Sequence, residues 1–466
     1  MTNENNFLNI ERGKVQKNSV KQRVKNFKEF IKLPDLEDIG LQSQRCLDCG
    51  IPFCHTACPL GNFIPKINQL VQNRKWEEAY RILNRKNNFP EFTGRLCPAL
   101  CEGSCTLEMD YGSVMTKTIE LSVIEEAFKK GLVKPQIPTY RKDKSVAVIG
   151  SGPSGLAVAQ DLNKKGINVV VYEKSDTIGG LLSLGIPDYK LEKKIIDRRV
   201  NLLKKEGITF KKGVTVGKDL KIKKLKDKFD AVCLATGFTV PRSIDADGNG
   251  LEGIYFALEY LKQQNKIDNG EKILSDKRIT AKGKNVLIIG GGDTGADCLG
   301  TAIRQGAKKV KQIEIMSKPP KKRSEGTPWP YWPHKLRTNS AHKEGGKCQW
   351  NVLTSQFIGD KKVKEVLCKK VNWNKAREMK VIEESDYIIK ADLVIIAAGF
   401  ISNDLKEKLK LAAVEFDRKN LVRTKNHMTT VEGVFATGDL IKGPSLICRA
   451  IADGKDAAKD ILKFLS

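Results

Sequence analysis

The sequence predicts an α/β protein with two Rossmann-like dinucleotide-binding units behind an α-helical, cysteine-bearing N-terminal unit. Three observations carry this. Two Gly-x-Gly-x-x-Gly turns each sit between an apolar strand and a helix, three further apolar strands end in glycine, and seven of the twelve cysteines crowd between positions 46 and 105. At 466 residues the chain has room for two to three domains. No run of about 18 apolar residues occurs, and the N-terminus lacks an apolar signal core. Those two features predict no membrane span and a cytoplasmic protein, in which cysteines point to metal or redox chemistry before disulfides.

The first four cysteines, Cys46, Cys49, Cys54 and Cys58, run C-x2-C-x4-C-x3-C and are followed by Pro59. Cys97, Cys101 and Cys105 come later at C-x3-C-x3-C, with Pro98 beside the first of them. Between the groups, Ile64, Ile67, Leu70, Val71, Ala79, Tyr80 and Leu83 recur at helical spacing, so one or two helices should separate the ligand loops. Structural zinc favours four ligands in paired C-x2-C groups. Only one such pair exists here, and seven thiols do not divide by four. Iron–sulfur ligation fits better, since in two-cluster ferredoxins the cysteine before proline serves the other cluster. Two 4Fe–4S clusters need eight ligands, so one must come from something other than cysteine. Cys233, Cys298, Cys348, Cys368 and Cys448 are isolated and read as buried packing residues. No C-x-x-C follows in the nucleotide-binding region, which argues against a dithiol reductase.

The first fingerprint runs from the strand at Ser145 through Gly150, Gly152 and Gly155 into a helix, and the next strand ends at Glu173. The glycines permit a tight turn and close backbone approach, the helix start faces a pyrophosphate, and the acid accepts from a ribose hydroxyl. The second copy has Gly290, Gly292 and Gly295, with Asp293 and Thr294 opening its helix. Its second strand, VKQIEIM, holds Glu314 within it and is followed by SKPPKKR rather than by a terminal acid. Lys318, Lys321, Lys322 and Arg323 are placed to neutralise a 2′-phosphate, which favours NADPH over NADH. Three more strands end at Ala235-Thr236-Gly237, Ala398-Gly399 and Gly438-Asp439. Asp439 suits a flavin's ribityl or pyrophosphate side, and the helix opened by Gly443-Pro444-Ser445-Leu446 would aim its positive end at the flavin ring.

The charge balance, 82 − 55 = +27, raises the question of nucleic acid, but no nucleic-acid-binding signature accompanies it. Lysines spread over solvated faces are the plain reading; electrostatic steering of an acidic partner or ferredoxin is the sharper one.

Taken in order, the cysteine cluster, the two fingerprints and the glycine-ended strands resemble the glutamate synthase beta-subunit family from about Leu41 to the C-terminus. More specific landmarks are Gly179-Gly180-Leu181-Leu182 with Gly185-Ile186-Pro187, Pro328 to Pro333 (PWPYWP), Ser340 to Gly346 (SAHKEGG) and the G-P-S-L turn. Asn339 and Lys343 depart slightly from the family pattern, which bears on docking detail. The resemblance implies an FAD domain over 142–245 and 393–466, interrupted by an NADPH domain over 246–392, with a helical cluster domain over 1–134. FAD would be held by Gly150, Gly152, Pro153, Ser154, Gly155, Glu173, Gly180, Leu181, Thr236, Gly237, Gly438, Asp439, Ser445 and Leu446. NADPH would be held by Gly290, Gly292, Asp293, Thr294, Gly295, Lys318, Lys322, Arg323 and Gly399. Similarity to the cluster module of dihydropyrimidine dehydrogenase implies one 4Fe–4S cluster on Cys46, Cys49, Cys54 and Cys105. It implies a second on Cys58, Cys97, Cys101 and Glu120. An exposed helix carboxylate is the plain reading of Glu120, and His342 reads as a loop residue, because hydride transfer at a flavin needs no side-chain catalyst.

The implied function is oxidation of NADPH at FAD, with electrons passing through the clusters to a large subunit that makes glutamate from glutamine and 2-oxoglutarate. The nearest alternatives on the same scaffold are an NADPH:ferredoxin oxidoreductase and a sulfide dehydrogenase. A nucleic-acid-binding redox sensor, supported by charge alone, is the distant one.

Overall fold

The computed structural model describes residues 6–374 and 376–466. The N-terminal unit is helical. Ile64–Gln72 buries Ile64, Ile67, Leu70 and Val71, and Trp76–Lys86 buries Ala79, Tyr80 and Leu83, the residues whose spacing predicts these helices. Glu77 and Glu78 in the first turn and Arg85 and Lys86 in the last complement the dipole of the second helix. Both pack with Thr116–Lys129 around Ile119, Val123 and Ile124.

The first sheet is parallel, in the order Val434–Ala436, Ala231–Leu234, Ser145–Ile149, Asn168–Glu173, Thr209–Lys212. Its central strand is buried on both faces, as a parallel sheet covered by helices requires. The fingerprint helix Pro153–Lys164 lies against the C-terminal helix Ile447–Leu465. That approach depends on Gly454, where a β-carbon would stand 2.4 Å from the Ser154 carbonyl oxygen.

The second sheet is also parallel, in the order Ile254–Phe256, Leu393–Ile396, Asn285–Ile289, Lys309–Glu314, Lys347–Trp350. An antiparallel sheet of Val352–Gly359, Val363–Trp373, Met379–Val381 and Tyr387–Lys390 packs on it through Phe357, Val366 and Ile389. The expected return to the first unit at residue 393 is corrected by this pairing. Leu393–Ile396 is a buried inner strand of the second sheet, so ending that unit at 392 would remove the neighbour of its own fingerprint strand. The crossing lies instead at Phe400–Ser402, which pairs antiparallel with the outgoing Val240–Pro241. The two connections thus form one short ribbon.

The helical unit shares a core with the first sheet's unit, since Phe89, Phe92 and Leu100 pack in one cluster with Val146, Leu156 and Ile196. The fully buried pair Arg199–Glu91 crosses the same junction, the guanidinium and carboxylate joined by two hydrogen bonds. Truncating either partner would leave the other charge buried and unpaired.

Candidate active site and cluster sites

The two fingerprint turns are built alike. Gly150 (φ +105°) and Gly290 (φ +125°) lie in the left-handed half of backbone space. A β-carbon would come within 2.4 Å of the Ala235 carbonyl at Gly150 and within 2.3 Å of the Ala397 carbonyl at Gly290. At the third glycines, Gly155 and Gly295, it would meet the first glycine's own carbonyl at 2.1 and 2.2 Å. The middle glycines, Gly152 and Gly292, face open space. An open backbone cradle at a helix N-terminus is what a pyrophosphate needs, so both turns fit a dinucleotide. Each glycine-ended strand therefore serves its own turn: Ala235-Thr236-Gly237 the first, and Ala397 with Gly399 the second.

Around the first turn the wall is closed. Glu173 accepts from the Ser151 amide (3.0 Å) and hydroxyl (2.6 Å), and from the Ser175 amide (2.9 Å). The Ser151 hydroxyl oxygen accepts from the Gly179 amide at 3.0 Å, which lays the Gly179–Leu182 segment across the fingerprint. A β-carbon at Gly180 would sit 2.9 Å from the Gly152 α-carbon. Leu181 begins the short helix Leu181–Leu184 on the outer side. Opposite, Gly438 (φ +71°) abuts Ser154, whose hydroxyl is 3.0 Å from that of Thr437. Asn403 donates to Thr236 Oγ1 at 3.0 Å and to the Gly237 carbonyl, pinning the strand end. Asp439 accepts from the Ser445 hydroxyl at 3.2 Å, and loss of hydration pushes its carboxyl up to about 6. Leu446 caps the C-terminal helix.

Asp453 is a participant that sequence reasoning missed. Its buried carboxylate accepts from the Gly438 amide (2.6 Å), Thr437 Oγ1 (2.8 Å) and Lys442 Nζ (2.5 Å), and faces His427 at 3.3 Å. Despite the desolvation that opposes them, these donors hold it well below the usual carboxylate range. Against the desolvation that lowers it, His427 is raised by Asp453 and by Asp460, which lies 2.8 Å from its other ring nitrogen. For Asp453, an acid on the otherwise apolar inner face of an amphipathic helix is the sequence signal that could have found it.

The second turn is open. Gly292, Asp293 and Thr294 are exposed where Gly152 and Pro153 are partly covered and Ser154 is buried. Gln312 donates to the Gly290 carbonyl at 2.7 Å and meets His342 Nε2 at 2.8 Å, so His342, in the single helical turn Ala341–Lys343 rather than in a loop, stands behind the turn through Gln312. Two further expectations need correction. The strand does end in an acid, Glu314, whose carboxylate accepts from the Gly291 and Met316 amides as Glu173 does in the first unit. The apolar Ile315 and Met316 extend the run in sequence, but the pairing stops at Glu314. Arg323 is not free for a 2′-phosphate, because its guanidinium donates to the carbonyls of Thr327, Tyr331 and Gly103. Lys318 and Lys322 are exposed in the segment leaving the strand.

Cys46, Cys49, Cys54 and Cys105 line one pocket with Phe53, Ile64 and Leu107. Burial pushes the Cys46 and Cys105 thiols up, and Cys54 to about 12. Cys58 and Cys101 are raised by burial as well, Cys58 to about 11, and each feels Cys97 and Glu120. Glu120 is partly buried rather than exposed; it accepts from Thr93 Oγ1 (2.5 Å), Asn62 (3.0 Å) and Asn87 (3.3 Å), and burial pushes it up to about 8. Buried thiols reach the ligating thiolate form only beside compensating positive charge, which iron supplies. The donor set therefore fits iron–sulfur clusters. Among the described residues no three His, Cys, Asp or Glu converge on a single-ion site.

Of the isolated cysteines, Cys233, Cys298, Cys368 and Cys448 are buried as expected, while Cys348 is exposed on an outer strand of the second sheet. Cys448 lies beside Cys97 and holds that thiol down.

Comparison with known proteins agrees with this geometry. Residues 144–454 match the family model described as pyridine nucleotide-disulphide oxidoreductase. Residues 23–132 match that of dihydropyrimidine dehydrogenase domain II, 4Fe-4S cluster. The fold is shared with Mycobacterium tuberculosis FprA in complex with NADPH, at a TM-score of 0.55 and 16% identity over 70% of this chain and 85% of that one. Fold and site thus define an NADPH-dependent flavin oxidoreductase with an iron–sulfur domain. Full-length relatives narrow the class. The glutamate synthase [NADPH] small chain of M. tuberculosis is 45% identical over 100% of this chain and 96% of its own length. That of Bacillus subtilis is 38% identical over 98% and 97%. The glutamate synthase [NADH] of Schizosaccharomyces pombe is 39% identical, and this chain matches 22% of its length. The chain belongs to the glutamate synthase small-chain family. No helix among the described residues is long and apolar enough to cross a membrane.

Proposed function

We propose that this chain oxidises NADPH at the second fingerprint and delivers the electrons, by way of FAD and two 4Fe–4S clusters, to a large subunit that forms glutamate. Bound FAD and the clusters would supply the exchange between two-electron and one-electron chemistry. The chain's own residues bind and orient. Gly150, Gly152 and Gly155 with Gly180 and Gly438 form the flavin cradle, and Asp453 fixes the Gly438 turn. Gly290, Gly292 and Gly295 receive the pyridine nucleotide, with Lys318 and Lys322 toward its 2′-phosphate. Cys46, Cys49, Cys54 and Cys105 hold one cluster; Cys58, Cys97, Cys101 and Glu120 hold the other.

The observation that carries the reading is the shared core that fuses the cysteine-bearing unit to the flavin unit at Phe89, Phe92 and Leu100. A redox module locked against the flavin unit is built to receive its electrons. The need for a partner is supported by the fission yeast relative, in which this chain's counterpart is about a fifth of one longer glutamate synthase. Anaerobic pull-down of tagged protein from its source, followed by assay of the eluate, tests the proposal. A co-eluting large flavoprotein with glutamine- and 2-oxoglutarate-dependent NADPH oxidation is expected. NADPH oxidation coupled only to ferredoxin or polysulfide would assign the acceptor to the rival reading.

A further inference from the structure

The loop that follows Arg323 leaves the nucleotide unit and lies on the cysteine-bearing unit. Trp329 Nε1 donates to the carbonyl of Cys105 at 3.3 Å, and the Trp329 ring meets Phe53 edge-on with centroids 4.6 Å apart. Phe53 lines the pocket of Cys46, Cys49, Cys54 and Cys105, and Trp329 stands behind it, outside the pocket's lining. The loop is tied down on both sides of the indole. Arg323 donates to the Gly103 carbonyl at 2.8 Å, the Ser104 hydroxyl donates to the Pro330 carbonyl at 2.7 Å, and Lys335 pairs with Glu108 at 2.9 Å. Trp332 packs so closely on Gly103 that a β-carbon there would stand 2.8 Å from its ring.

We propose that Trp329 is a positioning residue for the cluster on Cys46, Cys49, Cys54 and Cys105, fixing the Cys105 peptide and backing Phe53 so that water is kept from the site. The inference rests on the two-cluster reading above. Hydrogen bonding around the ligands and access of solvent set both the potential and the lifetime of an iron–sulfur cluster. Through Trp329 the loop acts on these two variables at the Cys105 side of the first cluster. The second group, Cys58, Cys97 and Cys101, packs among the helical and flavin units, with Trp332 of the same loop against their shared core. The indole of Trp329 is thus the loop's hold on the first cluster, separate from the packing of Trp332.

The test uses anaerobically prepared holoprotein in three variants. Trp329→Phe keeps a ring against Phe53 and loses the N–H donor. Trp329→Ala loses both. Ser104→Ala loosens the same loop from the other side. EPR-monitored redox titration should show the midpoint of one cluster displaced in Trp329→Ala while the other keeps its wild-type value. In air the same cluster should bleach about fivefold faster, with smaller changes in the same direction for Trp329→Phe and Ser104→Ala. Iron and acid-labile sulfide in the wild type, expected at eight of each per chain for two 4Fe–4S clusters, test the two-cluster reading by itself. The inference is overturned separately if Trp329→Phe and Ser104→Ala leave potentials and bleaching rates at wild-type values, or if both clusters change alike.

Discussion

The two nucleotide-binding turns have the same backbone and opposite surroundings. In each, the first glycine presses on the carbonyl of its neighbouring strand, the third presses on the first, and an acid at the strand end ties down the loop. The first turn is then walled by Gly180 on one side and by Gly438, Ser154 and buried Asp453 on the other. The second leaves Gly292 to Thr294 exposed, with exposed Lys318 and Lys322 in the segment that follows its second strand. One motif thus serves two ends. A closed cradle suits a resident cofactor, and an open one suits a nucleotide that must leave after each turnover.

The largest expected effect comes from placing the same substitution in both turns. Gly155→Ala puts a methyl against the Gly150 carbonyl and should leave purified protein with under about a twentieth of wild-type flavin, read from its visible spectrum. Gly295→Ala makes the same clash at the second turn and should keep full flavin while losing NADPH-driven bleaching. Equal flavin loss in both variants would show that the turns do not divide the labour.

Lys318→Glu with Lys322→Glu sharpens the open side. Each lost contact to a 2′-phosphate should raise KM for NADPH about tenfold, since tenfold corresponds to about 1.4 kcal/mol. The kcat should hold, and KM for NADH should stay within about twofold, because NADH lacks the phosphate. A uniform rise for both nucleotides would point to damage elsewhere.

Asp453→Asn addresses the closed side and is the smallest effect. Removing a buried carboxylate that accepts three hydrogen bonds should cost about 2 kcal/mol, measured by denaturant unfolding at pH 7. The Asp453 carboxyl is depressed in the folded chain, so its stabilisation is complete above the unfolded carboxylate value of about 4 and is lost as pH falls below it. The gap between variant and wild type should therefore narrow under acid. A gap that widened there would contradict the assignment.

Much of this was legible in the sequence because the signals are local. Strand, glycine turn and helix follow one another within a few residues, and Ile64, Ile67, Leu70 and Val71 mark their buried helix face directly. What was hidden depends on partners far along the chain. ADLVIIAAG and FDAVCLATG look alike, and only pairing with Asn285–Ile289 assigns the former to the second sheet. Glu314 was masked by the apolar Ile315 and Met316 after it, although its carboxylate reaches back 23 residues to the Gly291 amide. Arg323 reads as a phosphate ligand beside its lysine neighbours, yet its guanidinium reaches Gly103, 220 residues away. Asp453 showed only as an acid in an amphipathic helix until the Gly438 turn was set against it.

The most direct test of the account compares two activities in holoprotein reconstituted with the large chain, wild type against Cys54→Ser. NADPH oxidation by an artificial dye needs only the two nucleotide units and should stay within about twofold of wild type. Glutamate formation from glutamine and 2-oxoglutarate should fall by at least about 100-fold, because the cluster route to the large chain is broken. Retention of both activities would contradict the account, since electrons would then reach glutamate without passing the cysteines.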